Sequence, residues 1–166
     1  MTFQSTLSKI ESSKIFQRLK QEHPEAELCA GFFILDFFGN DTKKSLDYKI
    51  GEKILTFTLQ DNDDITFNED KLINISNKPS LEKISPEIKV ELDELKSIAG
   101  IRTLDEGIHS KFSKIIAVLQ MHQGKQIWNL TCMLEGLIIL NILIDANTGE
   151  IIKFERKSMM DLIKKK

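Results

Sequence analysis

The chain is poor in the residues that stabilise small exported proteins or that mark membrane proteins. It has 166 residues and only two cysteines, Cys29 and Cys132. Because they lie far apart and outside any Cys-x-x-Cys motif, we expect two buried thiols rather than a disulfide. The longest apolar run, residues 137–144, is far shorter than the roughly 20 residues that a membrane-spanning helix needs. With no basic patch and apolar run at its start, the sequence predicts a cytoplasmic protein with no membrane partner.

An excess of charge of one sign is also missing. Lys and Arg number 23 against 25 Asp and Glu, which gives a formal net charge of −2. A protein held to nucleic acid by charge needs a basic surface, so we expect no nucleic-acid partner. Ten phenylalanines occur mainly in strand-like patterns with few lysines between them, which favours a core role over base stacking. The 41% hydrophobic and 29% charged composition is typical of a globular chain that needs no metal to fold.

Sequence motifs for catalysis and metal binding are absent as well. There is no nucleophile elbow, glycine-rich phosphate loop or Cys-x-x-Cys pair. The acidic run 61–64 resembles the start of a calcium loop, but Thr66 and Leu72 stand where an EF-hand requires glycine and glutamate. Asp105 and His109 could share a helix face, yet a catalytic zinc needs three protein ligands. We therefore expect no catalytic residue, metal or cofactor site, and a non-enzymatic protein is the favoured hypothesis.

The first half predicts one helix followed by antiparallel strands. Ser8 and Glu11 have the spacing of a capping box, and Pro24 ends the helix. Strands are expected at residues 28–38, 47–50 and 54–59. A five-residue loop, 60–64, then pairs Leu59 with Ile65 and Phe57 with Phe67, which keeps the apolar side chains on one face.

The second half repeats the order of helix and then strands. Ser85-Pro86 is typical of a helix start, and Gly100 of a helix end. A further helix, 104–119, follows a capping box at Thr103 and Glu106. Strands are expected at the ranges 127–134, 137–145 and 150–156, before a short last helix capped by Ser158.

The fold class expected from this pattern is α+β, with two helix-then-antiparallel-meander units closed by a short C-terminal helix. The predicted domains are an N-terminal half, residues 1–73, a linker, residues 74–84, and a C-terminal half, residues 85–166. The linker prediction depends on the Ser, Asn, Lys and Pro residues around positions 74–80, which offer little to bury.

The register of the last hairpins yields a candidate interface. A two-residue turn at Glu135-Gly136 pairs Leu134 with Leu137 and places Trp128 opposite Leu143, on the face that the helix covers. The opposite face of the central strand then presents an apolar row. Its members are Ile138, Leu140, Ile142 and Ile144. Three covers are open for this row: the first half of the chain, which we favour, the short last helix, or a second chain in a homodimer.

The segment 144–151, Ile-Asp-Ala-Asn-Thr-Gly-Glu-Ile, resembles the end of the PepSY family. Trp128 on the preceding strand and the predicted helix before it have the family's order, so the resemblance covers about residues 103–157. Asp145, Thr148 and Gly149 also make a good turn by physics alone, since Asp accepts backbone hydrogen bonds and Gly tolerates a positive φ. The resemblance implies a helix packed on a small antiparallel sheet, in domains that act as binding or inhibitory modules.

The function expected from the sequence is that of a non-enzymatic binding or protein-interaction module. The alternative is a small-molecule-binding protein, or a minor enzyme, with its pocket between helix and sheet. An apolar surface patch without a deep polar pocket would favour the first hypothesis. A cavity with converging polar groups would favour the second.

Overall fold

The structure is a computed structural model that describes residues 1–71 and 82–158. Eight antiparallel strands form one sheet within that part of the chain. The strands are β1 (Glu27–Asp36), β2 (Lys43–Ile50), β3 (Lys53–Leu59), β4 (Ile65–Lys71), β5 (Phe112–His122), β6 (Lys125–Leu134), β7 (Ile138–Asp145) and β8 (Ile151–Ser158). Their order across the sheet is β4-β3-β2-β1-β5-β6-β7-β8. Each predicted half therefore supplies four neighbouring strands, and the pairing of β1 with β5 joins them.

Three short helices of the described residues pack on one face of this sheet. They are α1 (Phe3–Glu11), α2 (Lys14–Glu22) and α3 (Leu95–Asp105), the last preceded by a 3-10 turn, Leu92–Glu94. Side chains alternate along a strand, so the register places Phe33, Phe57 and Trp128 on the same face. Phe3 of α1 meets Phe33 and Trp128 edge to face, and Phe16 of α2 meets Phe57. Burying each of these rings stabilises the fold by about 1.5–3 kcal/mol.

The expected fold class is wrong. One continuous eight-stranded sheet replaces two separate helix-then-meander units, and strands outweigh the short helices. The predicted helix 104–119 is the main error, because β5 begins at Phe112. Gly107, with φ +82°, ends the local turn after α3, and the chain then becomes extended. The apolar residues of that segment fit a helical stripe, but Ile115, Ala117 and Leu119 also alternate along one strand face and are fully buried.

The predicted helix boundaries also need correction. The first helix is two helices, each with its own N-cap: Thr2 accepts a hydrogen bond from Ser5 N, and Ser13 from Phe16 N. No helix starts at Ser85, since α3 begins only at Leu95. Thr103 lies inside α3, where its hydroxyl donates to the Ala99 carbonyl at 2.7 Å, so it is no N-cap.

The two predicted hairpin registers have opposite outcomes. The pairing of Leu59 with Ile65 and of Phe57 with Phe67 is confirmed. The register of β6 and β7 is wrong by one residue, because Leu137 adopts a left-handed φ of 62° and lengthens the turn to three residues. Trp128 therefore faces Ile144 instead of Leu143, although it is fully buried as expected.

Some predictions fall outside the described residues. These are most of the linker, at positions 74–81, and the short last helix from 159 onward; Ser158, its predicted cap, closes β8. Ile84, at the end of the predicted linker, is buried, and its N–H donates to the Leu28 carbonyl at 2.9 Å. Within ranges 1–71 and 82–158, no helix has the length and apolar character needed to cross a membrane.

Candidate binding groove

The four residues of the predicted interface lie in the sheet's core. Leu140, Ile142 and Ile144 are fully buried, and Ile138 is half-buried. The observed register puts them on the face of Trp128, beside Leu134, Cys132 and Leu130. Their hydrophobic cluster includes Phe3 of α1, so the row is packed against residues of its own chain.

The predicted turn after β7 has the expected local geometry. The Asp145 carboxylate accepts hydrogen bonds from Asn147 N at 2.8 Å and Thr148 N at 3.2 Å. Gly149 has a φ of +80° and donates its N–H to the Asp145 carbonyl at 2.9 Å. The Asp145 carboxylate thus serves the backbone of this turn.

The sequence-derived metal candidates are not brought together. α3 ends at Asp105, so His109 does not share a helix face with it. In the 61–64 loop, Asp63 pairs with Lys9 at 3.1 Å, and Asp64 accepts a hydrogen bond from Asn62 at 3.0 Å. In the part of the chain that the structure describes, no three His, Cys, Asp or Glu side chains are grouped as a metal site.

A groove of about 680 Å³ runs between α3, the loop after β1 and the start of β5. We call it the α3 groove. Its lining is mainly apolar, and three of its side chains are large and exposed: Phe38 at 63%, Ile101 at 62% and Leu104 at 57%. Scattered single apolar residues are normal on a protein surface, but their convergence on one concavity is typical of a binding site.

One wall of the groove is a face of α3. Lys96, Gly100, Ile101 and Leu104 follow one another at spacings of four, one and three residues, which places them along one side of the helix. The opposite side of α3 is anchored in the core by Leu95 and Ala99, both fully buried. The groove wall is therefore held on a rigid element.

The other wall is the loop after β1, and Asp36 shapes it. The Asp36 carboxylate accepts hydrogen bonds from Phe38 N at 3.3 Å, Gly39 N at 3.0 Å and Asp41 N at 2.9 Å. A Cβ at position 39 would lie 2.7 Å from the Asp36 carboxylate, so a larger residue there would displace that carboxylate from its hydrogen bonds. The loop positions the Phe38 ring at the groove, and Lys96 from α3 lies 4.2 Å from the centre of the Phe37 ring.

The electrostatics of this loop follow from the same hydrogen bonds. The backbone N–H of Asp41 is the largest cause that holds the pKa of the Asp36 carboxyl below its ordinary value. The Lys114 ammonium donates to the Asp41 carboxylate at 2.7 Å, and that hydrogen bond raises the pKa of Lys114. Charge and backbone thus combine to order the segment that carries Phe38.

The charges at the groove itself are Lys96, Lys111 and Asp93. Among the described residues, neither lysine has an ion-pair partner, whereas Lys114 is paired with Asp41. Asp93 lies in the first turn before α3, where a carboxylate interacts favourably with the positive helix end. The groove thus combines an apolar lining with two ammonium groups that make no ion pair among the described residues, and that of Lys96 lies over the Phe37 ring.

Two other concavities are less suited to a ligand. One, of about 560 Å³, lies where the buried Tyr48 hydroxyl donates to Glu11 at 2.9 Å, and burial raises the pKa of that tyrosine. The other, of about 320 Å³, lies between α2 and the β3–β4 hairpin and includes Phe67, which stacks on Phe57. Neither combines several exposed apolar side chains with unpaired charge as the α3 groove does.

The sequence pattern does not predict the groove, because it places the groove's residues in other elements. Gly100 was expected to end a helix, and Leu104 to begin another, but both lie inside α3. The adjacent Phe37 and Phe38 before Gly39 were a signal, since two large aromatics entering a turn cannot both alternate into a sheet core.

Comparison with known proteins gives a likeness of fold only. No protein-family model matches the chain, and no curated protein matches it in sequence. A crystal structure of a Clostridium difficile 630 protein, described as a putative lipoprotein, is similar with a TM-score of 0.60 at 12% identity. The match covers 86% of this chain and 90% of that one. At this identity the likeness concerns the architecture alone.

Proposed function

We propose that the protein is a non-enzymatic binding module that holds an apolar part of a partner protein in the α3 groove. The observation that carries this proposal is the convergence of Phe38, Ile101 and Leu104, each more than half exposed, on one concavity. Leaving such side chains in water is costly, and burying each stabilises a complex by about 1.5–3 kcal/mol before the costs of association. The PepSY-like character proposed for Trp128 and the turn at 144–151 agrees with a binding role, although β5 occupies the place of the helix expected at 104–119. The cytoplasm is the proposed location.

The alternative is a small-molecule-binding protein with the same groove as its pocket. The groove's volume is within the range of ligand sites, and it lies between helix and sheet as that hypothesis requires. Its few polar groups argue against it, since Lys96 and Ser97 lie on α3 whereas Ser110 and Lys111 lie just before β5. A protein partner therefore fits the lining better.

A paired bait experiment tests the proposal. The wild-type protein and the Ile101→Ser variant are used to capture proteins from an extract of the source cells, with quantitative mass spectrometry. Ile152→Ser is the matched control, because Ile152 is also an exposed isoleucine, at 42%, but lies on β8. We expect at least one protein to be lost with Ile101→Ser and retained with Ile152→Ser. Identical captured sets for all three baits would contradict the proposal.

A further inference from the structure

The chemistry of the partner can be inferred further, on the basis of the proposed function. We propose that the α3 groove receives an amphipathic helix of the partner, with its apolar side on Gly100 and Ile101 and acidic residues beside Lys96 and Lys111. Three properties of the groove support this occupant: an unexplained glycine, its length and its charge.

Gly100 is the first property. A glycine inside a helix costs about 0.5–1 kcal/mol relative to alanine. Nothing in the described structure requires it, since a Cβ built at position 100 meets no atom within 4 Å, and its φ is not positive. The glycine instead leaves a flat place on the groove wall between the Lys96 and Leu104 side chains. A second helix can approach α3 closely only where the side chain that faces it is small.

The length of the groove is the second property. The α3 wall extends from Lys96 to Leu104, which is about 12 Å at 1.5 Å per residue. Helices that dock in grooves use apolar anchors at positions i, i+3 or i+4, and i+7, which span about the same distance. Phe38 on the opposite wall and Ile101 and Leu104 on α3 offer contacts to such a row of anchors.

The third property is charge. The Lys96 and Lys111 ammonium groups have no ion-pair partner among the described residues, and Asp93 is the single acidic residue in the groove's lining. A partner helix with glutamates on the flanks of its apolar side would be attracted to the lysines, mainly through a faster association. A helix with lysines in those places would be repelled.

The openness of the groove favours a helix over an acyl chain. Sites for small apolar ligands bury about 70–90% of the ligand surface. Here Phe38, Ile101 and Leu104 stay 57–63% exposed, so an acyl chain lying on them would keep much of its own surface in water. An amphipathic helix has a polar side that can face solvent while its apolar side is buried.

The test uses three synthetic fluorescein-labelled peptides of 14 residues, measured by fluorescence anisotropy. The first has leucines at i, i+4, i+7 and i+11 with flanking glutamates, the second has lysines for the glutamates, and the third is a scrambled form of the first. We expect the glutamate peptide to bind the wild-type protein at least tenfold more tightly than either other peptide. The difference from the lysine peptide should shrink at higher salt.

Variants then connect binding to the groove. Gly100→Leu fills the flat place, so it should weaken binding of the glutamate peptide at least tenfold. It should also raise the melting temperature of the protein, because leucine is the better helix former. Ile101→Ser should weaken it similarly, and Ile152→Ser should not. Equal binding by the lysine peptide, or unchanged binding to Gly100→Leu, would overturn the inference.

The apolar dye N-phenyl-1-naphthylamine separates failure of the inference from failure of the proposed function. If dye fluorescence depends on Ile101 but no peptide binds, the apolar groove stands and the helical partner is wrong. If neither dye nor peptide depends on Ile101, both proposals fail. A wild-type dimer that dissociates in Ile101→Ser, seen by sedimentation, would assign the groove to a second copy and overturn the inference.

Discussion

The indole Nε1 of Trp128 donates a hydrogen bond of 2.8 Å to the backbone carbonyl of Val90. Trp128 is fully buried in the middle of β6, and Val90 lies in the segment that leads to α3. The same segment is held by the turn after β7, since Lys89 N and Val90 N both donate to the Ala146 carbonyl. The position of α3, and with it one wall of the groove, is therefore connected directly to the centre of the sheet.

Trp128→Phe should destabilise the protein by about 2–4 kcal/mol. The smaller ring leaves a cavity, and the Val90 carbonyl loses its partner in a buried environment. Urea unfolding followed by circular dichroism measures the effect, since Trp128 is the only tryptophan and its fluorescence is lost. The control is Phe38→Leu, at an exposed position, where we expect a change within about 0.5 kcal/mol. Equal effects of the two substitutions would contradict the role of Trp128.

Low pH should release the loop that carries Phe38. The folded pKa of Asp36 lies below its ordinary value of 3.8, so its stabilising effect is complete above that value. The effect is lost as pH falls through the lower folded pKa, because a protonated carboxyl is a weaker acceptor for the three backbone N–H groups.

The amide shifts of Phe38, Gly39 and Asp41, followed by NMR during an acid titration, check this expectation. They should move together with one midpoint below pH 3.8. In Asp36→Asn the common transition should vanish, since asparagine does not titrate. A midpoint above 3.8 would show that the carboxylate is not held by these hydrogen bonds.

Both cysteines should resist thiol reagents in the folded protein. Burial raises the pKa of the Cys132 thiol to about 12, so little thiolate exists at pH 8. Cys29 is 1% exposed, and its Sγ donates to the Asp47 carbonyl at 3.5 Å. With Ellman's reagent, colour should therefore develop only at the rate of unfolding. In denaturant, two thiols per chain should react at once. Rapid reaction of a thiol in buffer would place it at the surface.

The sequence predicted a hairpin register correctly only where a local rule allowed a single register. The Leu59–Ile65 hairpin was predictable, because only an odd loop length keeps Leu59, Ile65, Phe57 and Phe67 on one face. The β6–β7 hairpin was not, because Leu137 takes a left-handed conformation that a leucine rarely adopts. That single residue moved every pairing between β6 and β7 by one position.

The candidate site was harder to predict, since its residues come from three distant segments. Phe38, Ile101 and Phe112 meet only because β1 pairs with β5 and α3 packs across their ends. The sequence also suggested a helix where β5 lies, because Ile115, Ile116 and Leu119 fit a helical stripe while Ile115, Ala117 and Leu119 fit one strand face. The segment is a strand because it pairs with both β1 and β6. These are tertiary contacts, for which the local sequence carries no signal.

Leu140→Asp and Ile139→Asp together test the observed register of β7. Leu140 is fully buried beside Cys132, on the face of Trp128, whereas Ile139 is half-buried on the opposite face. A carboxylate at position 140 would lose its hydration in the core, so we expect loss of folding at every protein concentration. Ile139→Asp should leave a folded chain that is destabilised by about 1–2 kcal/mol, because its side chain retains access to water. Circular dichroism gives the folded fraction, and light scattering gives the mass. In the two-residue-turn register the roles are exchanged, with Ile139 beside Cys132 on the face of Trp128. A folded Leu140→Asp and an unfolded Ile139→Asp would therefore show that the turn at Leu137 is wrong.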